Sequence, residues 1–230
     1  MTWAVLPVHT LCVADAKDRQ EVEQLEPHER SRVRWRAARP NKGLTWGKEV
    51  SGEAFIAKAE SYGAFAPDTA ILEVGPGYGR LLGECLRRKL PFEKYVAVDL
   101  SPTNVEYLTK QFGSSDVDVI VGDIETVALD GRFDVVLSSL TLKHLYPSFE
   151  AALRNVARHL NPGATVIFDL IEGDEQGFPL GRETYCRSYS RAEVEGILSG
   201  ISLELMAFDE VEHDPEYVRL LVVARKPLDV

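Results

Sequence analysis

Beyond Pro67 the chain alternates between short apolar runs and longer amphipathic stretches. Ala70–Val74, Tyr95–Val98, Val117–Val121, Phe133–Leu137 and Ala164–Leu170 are four to seven residues long, the length of strands. Arg80–Lys89, Thr103–Phe112 and Ser148–Leu160 lie between them and carry helical spacing. Ser101 stands where a helix cap belongs, and Asn161-Pro162-Gly163 stops the third helix. Strands alternating with helices predict a parallel, doubly wound α/β sheet. The ending differs. Ser190-Arg191-Ala192-Glu193 opens a helix to about Leu198. Ile201–Phe208 and Tyr217–Arg225 then read as strands, with only about eight residues between them. That gap is too short for a helical crossover, so the pair is expected to be antiparallel.

The N-terminal part is patterned less regularly. Trp3–Val13 reads as a strand or an extended arm, and residues 15–39 as charged helix interrupted near Pro27. Residues 1–45 are therefore taken as an arm and helical cap, and residues 46–230 as the main domain. Phe55, Ile56 and Ala59 share one helical face in the stretch Val50–Tyr62. This helix is expected to lie across the mouth of the turn after the first strand, with Trp46 and Lys48 as lid residues.

That turn concentrates the chemistry. Leu72-Glu73-Val74-Gly75-Pro76-Gly77-Tyr78-Gly79 is a strand end followed by three alternating glycines, and Arg80 begins a helix. Stripping side chains from a strand-to-helix turn lets backbone N–H groups approach a ligand. Asp99 closes the second strand and Asp123 follows the third. All three features fall at the carboxyl ends of parallel strands, where open α/β sheets bind ligands. A carboxylate after strand two can accept both hydroxyls of a ribose, and one after strand three suits the amino group of an adenine. A dinucleotide fingerprint would place its third glycine at position 80, which is Arg80.

Composition narrows the classes. Apolar residues make up 45% of 230, enough for a sizeable core, and the formal net charge is −10. An acidic chain is a poor match for a nucleic-acid backbone. Arg30, Arg32, Arg34, Arg36 and Arg39 form one basic cluster, either an anion contact or a helix face paired with the acidic remainder. Cys12, Cys85 and Cys186 fit neither a disulfide framework nor a zinc site, which points to a reducing cytoplasm. No apolar run reaches membrane-spanning length, and the apolar N-terminus lacks the basic flank of a signal peptide.

From residue 46 to about 226 the chain resembles the class I S-adenosylmethionine-dependent methyltransferases. The resemblance rests on Leu72–Gly79, on Val96-Ala97-Val98-Asp99-Leu100-Ser101, on Gly122-Asp123-Ile124, on Phe133–Leu145 and on Leu160-Asn161-Pro162-Gly163-Ala164. It implies a Rossmann-like seven-stranded sheet of order 3-2-1-4-5-7-6 with strand seven antiparallel. It also implies S-adenosylmethionine as methyl donor and the roles that follow. Glu73 orders the glycine loop, and Gly75 and Gly77 let the backbone reach the methionine part. Asp99 holds the ribose, Leu100 packs on the adenine, and Asp123 and Ile124 bind its edge. Backbone near Ser138 and Ser139 faces the sulfonium, and Trp46 closes over the cofactor. Glu73 also has a purely structural reading. Lys48 or Arg80 pairs with the cofactor carboxylate or is a surface charge.

His144, just past strand four, is the candidate general base. An imidazole titrates near neutrality, and the alternative is that it only lines the pocket. The signature of methyltransferases that act on base amino groups is absent. Residues 165–230 hold fourteen acidic and six basic side chains, and the insert after strand five is expected to border the acceptor. Glu172, Arg182 and Tyr185 are its candidate contacts. The expected acceptor is a polar small molecule, with a saccharide hydroxyl favoured and neither nucleic acid nor membrane as partner. A homodimer is one arrangement open to the chain. A divalent metal such as Mg2+ is a further option, with Asp169 and Glu172 as ligand candidates among the acidic residues 169–175. An N-methyltransferase of small molecules and a non-catalytic cofactor-binding protein are the rival readings.

Overall fold

The computed structural model describes residues 22, 24–40, 51–174, 176–177, 184–214 and 217–228. Nine strands form one sheet among these residues: β1 (Ala70–Val74), β2 (Lys94–Asp99), β3 (Val117–Val121), β4 (Phe133–Ser138), β5 (Leu160–Glu172), β6 (Gln176–Gly177), β7 (Cys186–Tyr189), β8 (Glu204–Asp214) and β9 (Tyr217–Arg225). Six α-helices accompany them: α1 (Pro27–Arg36), α2 (Glu53–Ser61), α3 (Arg80–Arg88), α4 (Pro102–Phe112), α5 (Glu150–Ala157) and α6 (Arg191–Gly200). Val22 is helical, residues 24–26 are not, and Pro27 opens α1, so the helical stretch is interrupted where the sequence suggests; a proline at the first helical turn lacks only an N–H that has no partner there.

Strands β1 to β5 pair in parallel in the order 3-2-1-4-5. Their central members are apolar on both faces because both faces are covered. Leu72, Val74, Val98, Val136, Val166 and Phe168 pack with α5 and α6 on one side, and Ile71, Tyr95, Ala97, Leu137 and Ile167 pack with α2 and α3 on the other. The closing hairpin is antiparallel as expected. β9 pairs with β5 from Thr165↔Arg225 to Ile171↔Arg219, and β8 takes the edge. The seven principal strands therefore run 3-2-1-4-5-9-8, which is the implied order with β8 and β9 as strands six and seven.

Three boundaries differ from the sequence pattern. The hairpin gap is two residues, not eight, because β8 extends from Glu204 to Asp214. Two register shifts let its eleven residues match the nine of β9. Ile201 and Leu203 instead bury beneath the end of α6. Helix α5 is shorter than Ser148–Leu160, running from Glu150 to Ala157. Asn161-Pro162-Gly163 is not a free turn but an irregularity inside β5, between the pairs Phe133↔Leu160 and Val135↔Thr165.

The ribbon of β6 and β7 was not expected. Ile171 pairs with Ser188 of β7 and with Arg219 of β9. A strand has two edges, so β7 continues the β4 edge beyond the end of β4. That placement sets the insert above the carboxyl end of the sheet.

Helix α6 starts where the capping pattern predicts. The Ser190 side chain accepts from the Glu193 backbone N–H, and Val194 and Leu198 are buried. Ser190→Ala is expected to cost about 1 kcal/mol in a urea or thermal melt. An unchanged midpoint would show that packing of the helix, not its cap, fixes its start.

Candidate active site

The glycine loop joins β1 to α3, as the sequence pattern placed it. Gly75 and Gly77 have φ of 69° and 60°, a left-handed backbone that favours glycine. A Cβ on Gly75 would stand 2.4 Å from the Thr141 side chain, so the loop after β1 and the turn after β4 touch there. A Cβ on Gly77 would meet nothing within 4 Å. The first glycine is needed for packing, and the second leaves open space for a ligand.

Asp99 closes over this loop. Its Oδ2 accepts from the Gly77 N–H at 3.0 Å, and its Oδ1 accepts from the Ser101 N–H at 2.8 Å and from Asn104 Nδ2 at 3.2 Å. Burial raises its pKa against the lowering effect of these bonds. Oδ2 carries one donor and so keeps lone-pair capacity for a hydroxyl. Beside it, the Asn104 Oδ1 is buried with no donor among the described residues. A buried acceptor without a donor next to open space at Gly77 fits a polyhydroxylated group such as a ribose. Asn104 was not singled out from sequence; its place one turn into α4, three residues past the Ser101 cap, was the available signal.

Glu73 is buried, accepts from the Tyr95 hydroxyl at 2.7 Å and is bonded by the Leu82 backbone N–H. It thereby ties β1 to β2 and to α3. Leu100 is half-buried after β2. Ile124 is packed in the core, so only its backbone is placed for an adenine edge. Asp123 accepts from the Glu125 N–H, and its carboxylate is paired with Arg32 of α1, which also reaches Glu125 at 2.5 Å. The basic cluster thus follows the paired-face reading at Arg32. Asn155 of α5 holds the same loop by donating to the carbonyls of Ile124 and Val127.

The end of β4 carries a buried polar cluster that the sequence pattern did not anticipate. Ser138 Oγ donates to the Val74 carbonyl. Ser139 Oγ donates to Asp169 Oδ2 at 2.6 Å and accepts from Arg80 at 2.5 Å and Arg219 at 3.2 Å. That uses its one donor and two acceptor sites. Asp169 also takes the Leu140 N–H at 2.7 Å and an ion pair from Arg219 at 2.7 Å, and both of these side chains are 1% exposed. Burial pushes the Asp169 carboxyl up, but Arg219, the Ser139 bond and the charge of Lys143 together hold it below the usual range. Arg80 is therefore not a surface charge, and Asp169 is engaged as a structural anion rather than presented to a metal. The signal was an acid inside apolar β5 and a base inside apolar β9, each apart from the charge that ends its strand. Glu172, the second metal and substrate candidate, is held by Arg191 at 2.7 and 3.2 Å. Among the described residues no group of three or more metal-ligating side chains occurs.

His144 ends a short 3-10 turn, Leu142–His144. Its Nδ1 lies 2.6 Å from the Tyr185 carbonyl, which can only accept, so Nδ1 carries the proton and Nε2 the lone pair. Tyr185 serves through its backbone: its N–H donates to Ser31 Oγ at 2.9 Å, while its buried hydroxyl donates to the Pro147 carbonyl at 3.2 Å. Around His144 the surroundings are aromatic rather than acidic. Trp35 lies on its ring, and His28 stacks on Tyr146, which meets Tyr185 edge-on. The expected lid helix, α2, instead packs Phe55, Ile56 and Ala59 into the core, and α1 covers the site. Trp46, Lys48, Arg182 and Glu175 lie outside the described residues.

The pattern of the family described as "Methyltransferase domain" matches residues 72–168, from β1 to β5. That stretch carries a methyltransferase domain, and the fold around it is that of the class I S-adenosylmethionine-dependent methyltransferases. A malonyl-[acyl-carrier protein] O-methyltransferase of Priestia megaterium is 31% identical over 104 residues, covering 45% of this chain and 37% of that protein. A cypemycin N-terminal methyltransferase of a Streptomyces species is 34% identical over 103 residues, covering 39% and 42%. The matched stretch thus spans less than half the length of either relative. The crystal structure of Burkholderia thailandensis 1,6-didemethyltoxoflavin-N1-methyltransferase, with its substrate and S-adenosylhomocysteine bound, superposes with a TM-score of 0.67. The superposition covers 97% of this methyltransferase chain and 93% of that one at 18% identity, which establishes a shared fold. No helix among the described residues is long and apolar enough to cross a membrane.

Two measurements test this site. Burial pushes the Glu73 carboxyl up to about 7, against the Tyr95 bond and the Arg80 charge. Between the ordinary carboxyl range and about 7, the unfolded chain releases this proton while the folded chain keeps it, so stability falls as pH rises. Glu73→Gln cannot ionise. It is expected to gain on the parent by up to about 3 kcal/mol as pH is raised through this window, and a pH-independent difference between the two melts would sink the assignment. Asp169→Asn leaves the Arg219 guanidinium buried without its countercharge. A loss of about 3–5 kcal/mol in urea denaturation is expected, and a loss under about 1 kcal/mol would mean that Arg219 relaxes to solvent.

Proposed function

We propose that this chain transfers a methyl group from S-adenosylmethionine to a hydroxyl oxygen of a polar small molecule, with saccharide hydroxyls the first class to try. The observation that carries the reading is the tautomer of His144. With Nδ1–H held by the Tyr185 carbonyl, the basic nitrogen is Nε2. The turn that bears it follows β4, and Thr141 in that turn donates to the Gly75 carbonyl at 3.1 Å. The base and the glycine loop are therefore one hydrogen bond apart.

When bound, S-adenosylmethionine supplies a methyl already activated by its sulfonium. Gly75 and Gly77 offer backbone to its methionine part, and Asp99 and Asn104 face its ribose. Asp123 and the backbone of Ile124 border the adenine. His144 Nε2 accepts the proton of the acceptor hydroxyl, and the imidazolium so formed keeps its Nδ1–H bond to Tyr185. The remaining contribution is alignment, which the packed turn after β4 provides. The acidic balance of residues 165–230 supports a polar acceptor. Glu172 contributes less to such a wall than its charge suggests, since Arg191 holds it.

N-methylation is the second reading. It is favoured by the Streptomyces relative, named as an N-terminal methyltransferase, and by the Burkholderia structure, named as an N1-methyltransferase. An amine can attack as its free base and has less need of His144. His144→Ala distinguishes the two. Turnover of hydroxyl acceptors is expected to fall about 10²–10⁴-fold, with S-adenosylmethionine binding by calorimetry unchanged. Retention within a few-fold on alcohols removes His144 as base, and retention on amines alone favours N-methylation.

A further inference from the structure

Helix α1 presents one face to His144. His28, Ser31 and Trp35 are spaced three and four residues apart, so they lie in one stripe. Each meets a different part of the site: His28 the Tyr146 ring, Ser31 the Tyr185 N–H, and Trp35 the His144 ring. The last two rings have centroids 4.6 Å apart and planes tilted by 49°. The helix is held beyond this stripe by Arg32 on Asp123 and Glu125, and just past its end by Ser101 Oγ on the Ala38 carbonyl at 2.6 Å.

The Trp35 indole Nε1 is buried and has no acceptor among the described residues. An indole N–H only donates, and burying one without a partner costs about 1–3 kcal/mol. A helix pinned at several points keeps this donor beside the imidazole. We propose that Trp35 is an acceptor-binding residue: its Nε1–H donates to an oxygen of the methyl acceptor next to the hydroxyl whose proton goes to His144. The acceptor is then a vicinal diol, of a saccharide or of a catechol. Two oxygens are required on chemical grounds. A hydrogen bond donated to the attacking oxygen would withdraw the electron density it needs, whereas a bond to its neighbour orients the pair without that penalty. The inference rests on the reading of His144 as base.

The test compares diols with their mono-hydroxyl counterparts: catechol with phenol, and methyl glucopyranoside with its 2-deoxy analogue. Binding is measured by calorimetry on protein loaded with S-adenosylhomocysteine, and turnover with S-adenosylmethionine. The parent is expected to prefer one diol over its counterpart by about tenfold, and the pair that shows the preference separates an aromatic from a saccharide acceptor. Trp35→Phe keeps a ring and removes the donor. It is expected to erase that preference, raising the KM of the diol about tenfold with kcat little changed. Ser31→Ala loosens α1 without touching the indole, and is expected to weaken all acceptors alike with the preference kept. A diol preference that survives in Trp35→Phe, or a parent that binds neither diol, overturns the inference. A parent that binds a diol through Trp35 but transfers no methyl overturns the proposed reaction instead, and leaves the Trp35 contact standing.

Discussion

The buried carboxylate of Asp169 is the constraint on which the active end of the sheet depends. It stands near the carboxyl end of β5, takes the Leu140 N–H and the Ser139 hydroxyl, and is neutralised by Arg219 from β9. Leu140 has a φ of 60°, a left-handed backbone that costs a non-glycine residue about 1–2 kcal/mol. The bond from its N–H to Asp169 offsets that strain. The kink then turns the chain so that Thr141 reaches Gly75 and His144 reaches Tyr185. The contact between the turn that carries His144 and the glycine loop thus depends on an ion pair between residues fifty positions apart.

Such a pair is worth little as stabilisation by itself, because desolvating two charges offsets most of their attraction. Its value lies in geometry. Ser139 uses its donor on Asp169 and both acceptor sites on Arg80 and Arg219, so no rotation of its hydroxyl improves the network. Arg80 also starts α3, directly after the glycine loop. The start of α3, the residue after β4, the carboxyl-terminal part of β5 and the start of β9 are thereby linked through one hydroxyl. A change at Arg219 is expected to reach the glycine loop through Ser139 and Arg80, without contact with it.

These facts explain what was legible in the sequence. The strands and the glycine loop were readable because they depend on local pattern: apolar runs, caps, and glycines whose φ is positive; the strand order was legible only through the family resemblance. Asp99 and Asp123 fell at strand ends, where position alone marks them as candidates for a ligand site. The polar cluster was harder to read. Asp169 was noticed, but as part of an acidic run with Glu172 and Asp174, since spacing does not say which neighbouring strand will bring a cation. Arg219 settles that only once β9 is laid antiparallel on β5. Tyr185 was placed at the acceptor for its ring, and it acts through its backbone. The acidic insert looked like a sugar-binding wall, yet Glu172 turned toward Arg191, which no local rule anticipates.

Helix α1 shows the same limit and how the forces divide. From sequence its arginines dominated, and Arg32 does pair with Asp123 and Glu125. But the Arg32 side chain is 46% exposed, and exposed pairs contribute about 0.2–1 kcal/mol. Ser31 and Trp35 lie on the stripe beside it: Ser31 is 2% exposed and fixes the Tyr185 N–H. A buried hydrogen bond to backbone and an aromatic contact contribute about 0.5–1.5 kcal/mol each, without screening by salt. The uncharged stripe therefore sets how α1 lies, and the arginine face follows it onto the adenine loop. Because the Tyr185 peptide bonds to Ser31 at its N–H and to His144 at its carbonyl, the position of the cap and the tautomer of the imidazole are set by one peptide segment. The helix that covers the site also determines which nitrogen of His144 carries its lone pair.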